Sequence, residues 1–224
     1  MTEIQAEYMR IMKKVIAFDL ETIANKSIIP LLPPVEPAGN LKDPIKIKAD
    51  IKKKEADRLS KLGLDPTTGR ICCFGWHDGK ESHHIILAEE SDAAEAKLIQ
   101  GAWEILSEGE HFVTFNGISF DVPFLLMRSL INRVRPSVNV STKKYTITNH
   151  TDCRAVLNNW DNYGKGTLGF FSELLLGKSS KEDLSGDMVQ DAWDMELFED
   201  IGKYCEADCE ATYQIYELLT QYYL

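Results

Sequence analysis

Val15, Ile16, Ala17 and Phe18 form a short unbroken apolar run, the pattern of a buried strand. Side chains alternate along a strand, so Val15, Ala17, Asp19 and Glu21 share one side. The stretch 13–22 is therefore core at one end and acidic at the other. Residues 25–40 follow with four of the chain's eight prolines, which predicts an extended surface loop, neither helix nor central strand. Asp43 and Pro44 then read as the N-cap and first residue of a helix. A turn over 64–69 feeds a second strand over 70–76, and Asp78-Gly79 turns it into a third over about 83–87. Ser91 opens a helix that ends near Gly109, and 111–115 is the next strand, broken by Asn116-Gly117. A helix over about 121–134, a strand over 148–153 and a helix over 167–176 complete the middle of the chain. In the last helix, about 195–222, Leu197, Ile201, Tyr204, Asp208, Ala211, Ile215 and Leu218 recur at spacings of three and four. They predict its buried stripe. Strands that begin antiparallel and then alternate with helices predict an α/β fold with a mixed sheet. No internal repeat or low-complexity tract is visible.

Composition narrows the class. With 224 residues, 44 % of them apolar, the chain can build one large domain or a domain with an insertion. The net charge of −10 argues against passive binding of nucleic acid, which usually shows a basic surplus, but not against an enzyme that holds metal ions. Segment 42–61 runs the other way, with eight basic and four acidic residues. It reads either as a solvated helix face or as an arm that tracks phosphates. No apolar run approaches the roughly 20 residues of a membrane span. The first fourteen residues carry early acids and no apolar signal core, so a cytoplasmic location is expected. Cys72, Cys73, Cys153, Cys205 and Cys209 are odd in number and contain no CxxC, which reads as reduced thiols. Cys205 and Cys209, four apart on the last helix, are taken as packing residues.

Chemistry enters with the acids. Asp19 and Glu21 repel each other and are costly to desolvate unless a cation lies between them. Pro123 is tolerated only in a helix's first turn, which puts Asp121 at a helix N-terminus just beyond a strand end. Asp121 is then a helix cap or a ligand, since ligands gather at strand C-termini in open α/β sheets. Asp208 interrupts the apolar stripe of the last helix one turn after Tyr204, and must find a cation or a donor. Four carboxylates that core packing does not explain favour one shared site.

These residues resemble the DEDD 3′–5′ exonucleases, a DnaQ-like branch of the ribonuclease H-like superfamily. Asp19-Leu20-Glu21 is similar to the first motif, and Asn116 with Phe120-Asp121 to the second. Tyr204 with Asp208 is similar to the YxxxD third motif that marks the DEDDy branch. The chain most resembles the stand-alone exonucleases similar to the proofreading domain of B-family DNA polymerases. Asn40 to Pro44, Leu64 to Ile71, Gly166 to Leu168 and Lys181 to Gly186 look like features of the bacterial and phage members.

The resemblance implies a ribonuclease H-like mixed sheet flanked by helices, in one exonuclease domain over 1–224 with a Pro-rich and Lys-rich insertion at about 25–66. It implies that Asp19, Glu21, Asp121 and Asp208 hold two Mg²⁺ or Mn²⁺ ions roughly 4 Å apart, with Asp19 as the bridging ligand. Tyr204 would orient the attacking water, or help deprotonate it. Thr22, Asn116 and Phe120 are candidate contacts to the terminal nucleotide, although Phe120 equally suits packing. Asp152 is either a supporting acid or a structural carboxylate. The implied reaction removes nucleoside 5′-monophosphates from the 3′ end of single-stranded DNA. The alternatives are an exoribonuclease and a non-catalytic module on the same fold. Any proofreading would serve a separate polymerase, or repair and recombination machinery, in trans.

Overall fold

The computed structural model describes residues 14–161, 163–178 and 184–224. The N-terminal segment, including Lys13, and residues 181–183 of the Lys181 to Gly186 match lie outside the described residues. Five strands form one sheet in the order β3-β2-β1-β4-β5: β1 (Val15–Ala24), β2 (Gly69–His77), β3 (Ser82–Ile86), β4 (His111–Thr114) and β5 (His150–Asp152). β2 runs antiparallel to β1 and β3 antiparallel to β2, whereas β4 and β5 run parallel to β1. The sheet is mixed, as the order of elements predicts, and the fold is α/β.

Among the described residues seven α-helices surround it: α1 (Pro44–Leu59), α2 (Asp92–Ser107), α3 (Asp121–Ile131), α4 (Cys153–Leu157), α5 (Leu168–Leu176), α6 (Val189–Asp194) and α7 (Phe198–Tyr222). On one face, Ile16, Phe18 and Leu20 of β1 meet Leu98, Ile99 and Trp103 of α2 and Phe124 and Leu125 of α3. On the other, Ala17 and Val113 meet Cys153 and Val156 of α4 and Ile215 and Leu219 of α7. No helix among the described residues is long and apolar enough to cross a membrane.

The helix starts follow local chemistry. Asp43 accepts from the Ile45 amide ahead of Pro44, Ser91 from Ala94, and Thr167 from Phe170. Three expectations need correction. Lys26–Leu31, read as loop, is a 3₁₀ helix containing Pro30 and opened by the Asn25 side chain, which accepts from Ser27. So short a turn tolerates the one hydrogen bond that proline removes. α4 and α6, five and six residues long, were not predicted, because neither spans two turns of periodicity. The stripe of α7 is also rotated. Its buried residues are Ile201, Gly202, Cys205, Cys209, Thr212, Ile215 and Leu219, while Leu197 is exposed and Tyr204 and Asp208 are half-buried on the rim.

α1 buries none of its side chains. It is pinned to the Pro-rich loop by Arg58 and Lys54, which donate to the Pro33 and Glu36 carbonyls, and by Asp50, which accepts from the Ala38 amide.

Candidate functional site

β1 pairs with β4 only as far as Ala17 and Val113, so Asp19 and Glu21 project where β4 is ending. Asp19 lies opposite Gly75 of β2, and Gly75 opposite His84 of β3, which makes one cross-strand row. α7 crosses this row at close range because two glycines permit it. A Cβ on Gly75 would meet the Cys205 Sγ at 2.6 Å, and one on Gly202 would meet the His84 ring at 2.4 Å. Glu206 then bonds His84 at 2.8 Å and fixes the rotation of the helix. That rotation turns Tyr204 and Asp208 toward β1.

Ligand atoms of Asp19, Glu21 and Cys205 lie within 4.8 Å of one another. Asp121 joins from α3: its Oδ1 accepts from the Leu20 amide at 3.1 Å, between the two strand acids. Glu21 is 6 % and Asp121 2 % exposed, so water screens neither well. Burial raises the Asp19 carboxyl well above the usual carboxylate range, and the charges of Asp121, Glu21 and Asp208 raise it further. Glu21 is raised for the same reason, with Asp208 and Asp121 contributing. Asp121 is pushed up to about 7 by burial, against the lowering effect of its own amide and that of Leu20. Asp19, Glu21 and Cys205 thus form the tight group, Asp121 joins it through the Leu20 amide, and Asp208 adds its charge from the rim.

Burial, and then the neighbouring acids, push the Tyr204 phenol above its ordinary value. It is a hydrogen-bond donor at neutral pH, and Asp208 takes its proton side. Tyr204 and Asp208 line a cleft of about 550 Å³ between α7, the start of α5 and segment 184–187. Cys205 was read as packing, yet it reaches the cluster. Its fully buried thiol lies 3.6 Å from the Asp19 carbonyl oxygen and forms the floor of the site.

Of the other candidates, Thr22 is half-buried one residue beyond Glu21, at a register shift in the β1–β2 pairing. Phe120 is partly buried against the core, its ring 5.4 Å from that of Phe124. Asn116 has φ 74°, a left-handed conformation that Asn tolerates. Its Oδ1 accepts from Arg154, which also donates to the Gly164 and Gly166 carbonyls. Asp152 accepts from the amides of Asn116, Ile118 and Ala155, so it is a structural carboxylate that holds the turn leading to Asp121. Arg154 had no signal in the sequence. Gly75 had one, a glycine in the middle of an apolar strand.

Four mutually repelling carboxylates, two buried and two half-buried, suit hard divalent cations, and a lone thiol among them does not change that preference. The raised carboxyls give a prediction with a definite sign. Between the ordinary 3.8 of Asp121 and its folded value of about 7, the folded metal-free protein binds more protons than the unfolded chain. Its stability falls as pH rises through that window. The metal-free protein should melt lower at about pH 8 than at about pH 5. Saturating Mn²⁺ should restore the loss at pH 8, by about 2.7 kcal/mol at ~100 times its Kd. Melting points indifferent to both pH and metal would contradict this.

Comparison with known proteins follows the geometry. A family model described as a predicted 3′–5′ exonuclease related to the exonuclease domain of PolB matches residues 68–222, more than two thirds of the chain. The matched span includes Asn116, Phe120, Asp121, Tyr204 and Asp208, and leaves Asp19 and Glu21 outside. No curated protein matches the sequence. Among solved structures, the family B DNA polymerase from the hyperthermophilic archaeon Pyrobaculum calidifontis is similar at 15 % identity, with a TM-score of 0.64 over 93 % of this chain. The chain spans about a quarter of that polymerase, covering 25 % of it. This likeness bears on the fold, which is ribonuclease H-like.

Proposed function

The chain belongs to the 3′–5′ exonuclease family related to the exonuclease domain of PolB, and from that premise we propose that it removes nucleoside 5′-monophosphates from the 3′ end of single-stranded DNA with two divalent metal ions. The observation that carries the reading is the convergence of Asp19, Glu21, Asp121 and Asp208 from β1, α3 and α7 beside an open cleft. These four residues would hold Mg²⁺ or Mn²⁺, which when bound supply an activated water and stabilise charge on the leaving 3′-oxygen.

The remaining roles belong to the chain itself. Tyr204, protonated and at the rim, would orient the attacking water by turning its one hydroxyl proton from Asp208 to the water oxygen, and a phenol that stays protonated cannot be its base. Asp152 would act as a positioning residue by keeping the 116–118 turn, and with it Asp121, in place. Thr22, Asn116 and Phe120 would contact the terminal nucleotide. We read 1–224 as one exonuclease domain in which about 25–66 is an insertion.

The test is a 5′-labelled single strand incubated with and without Mg²⁺. A ladder that shortens from the 3′ end while keeping its label, and stops in chelator, supports the reading. Loss of the 5′ label first, or shortening in chelator, overturns it. An RNA strand of the same sequence, run in parallel, reads the sugar preference. Tyr204→Phe should lower kcat by about 10²-fold with metal affinity retained; an unchanged kcat would remove Tyr204 from the chemistry.

A further inference from the structure

Away from the acid cluster, charge is unevenly spread. Residues 133–166 carry six Lys or Arg against two acids, a local +4 in a chain of net −10. The aromatic residues Tyr145, Trp160 and Tyr163 are interleaved with these cations. Tyr145 is 70 % exposed, yet its ring lies 5.9 Å from that of Trp160. Both residues have positive φ, 64° and 62°, a conformation rare outside glycine. Two loops thus accept backbone strain and set the exposed Tyr145 ring against Trp160, which is itself partly buried on the core.

The rings stand beside a small cavity of about 70 Å³ whose lining includes Asn116, Lys144, Arg154, Trp160, Asp152 and Asp161, with the Asp152 oxygens taken up by the Asn116, Ile118 and Ala155 amides. Asp161 is turned into its own loop, where its Oδ1 accepts from the Tyr163 amide. The cavity lies at the C-terminal ends of β4 and β5, the same end of the sheet as Asp19 and Glu21. β5 is two strand spacings from β1, roughly 10 Å.

Exposed aromatics flanked by cations are how proteins hold single-stranded nucleic acid: bases stack on the rings and lysines meet the phosphates. The local +4, equal to that of segment 42–61, complements a polyanion in a chain that is otherwise acidic. We propose that Lys144, Tyr145 and Trp160 form a stacking subsite for single-stranded DNA a few nucleotides upstream of the cleaved bond. The subsite rests on the exonuclease reading for its place on the strand, but its binding can be measured without cleavage.

The test uses the full chain with a ten-nucleotide DNA and a dinucleotide. Binding is read by fluorescence anisotropy in Ca²⁺, and turnover in Mg²⁺. Tyr145→Ala should weaken ten-nucleotide binding about tenfold, within the range of one lost base stack. It should lower the ratio of kcat/KM on the longer over the shorter substrate by a similar factor. Lys144→Gln should reduce the slope of log Kd against log salt by about 0.7, the value for one phosphate contact on a single strand. Trp160→Leu repeats the test at a partly buried ring, and the exposed Tyr145 covers the case in which that variant does not fold. Parental Kd and salt slope in folded Tyr145→Ala and Lys144→Gln overturn the subsite, even if the protein cleaves DNA. Weakened binding in a protein that cleaves nothing supports the subsite and overturns the exonuclease reading instead.

Discussion

Asp19→Asn should lower Mg²⁺-dependent shortening of a 3′ end by about 10³-fold or more, about 4 kcal/mol of barrier, and at the same time raise the melting temperature of the metal-free protein near pH 8. The two effects have one origin. Asp19 is hemmed in by Asp121, Glu21 and Asp208, and burial makes its charge costly. The neutral amide keeps the shape and removes the repulsion that only a cation offsets. A purely structural acid would show the opposite stability change. Activity assay and thermal melt on the same preparation decide it: retention of more than a tenth of the activity, or a lower melting point, would refute the role given to Asp19. Asp208→Asn should move both readouts the same way.

The second large effect is on stability alone. Glu95 and Arg128, 0 % and 1 % exposed, pair through bonds of 2.6 and 2.8 Å between α2 and α3. Glu95 also accepts from the Ile71 amide at 3.0 Å and the Asn132 amide group at 3.1 Å. Arg128 reaches the Pro66 carbonyl at 3.3 Å. Glu95→Ala leaves a guanidinium buried without its carboxylate and orphans the Ile71 amide. The cost should be about 3–5 kcal/mol, roughly 10 °C in a chain of this length. Urea melts of Glu95→Ala, Arg128→Met and the pair measure the coupling. The double variant should recover part of the loss, since the Arg128 charge goes with its partner, while the Ile71 amide and Arg70, 3.9 Å from Glu95, still lose theirs. Single variants that each cost under about 1 kcal/mol would show that the pair does not hold α3, and hence Asp121, in place.

Much of this site was legible in the sequence because its acids break rules that their neighbours obey. Asp19 and Glu21 interrupt an apolar strand, Asp121 stands two residues before a proline, and Asp208 sits at the edge of an apolar helix stripe. Each violation has a physical cost, so each could be read. The rotation of α7 could not. Its contact face is made of Gly202, Cys205, Cys209 and Thr212, small residues whose value is close approach, and hydropathy does not register closeness. Leu197 and Leu218, larger and more apolar, drew the predicted stripe aside by about one position. α4 and α6 escaped for want of length. The work of Arg154 was invisible for another reason: it bonds carbonyls and an amide side chain, partners with no pattern in sequence.

The place of Asp208 has a consequence for the living cell. A growing chain that has emerged through β4 and α3 already carries Asp19, Glu21 and Asp121. It still lacks the helix that lies over Gly75 and delivers the fourth carboxylate. Three acids without that floor are a cluster of like charges open to water. On the proposed reading the cutting site would come into being only when α7 seats on the sheet. A half-made copy would then leave the strands around it intact, and the proposed chemistry would be licensed by the finished fold.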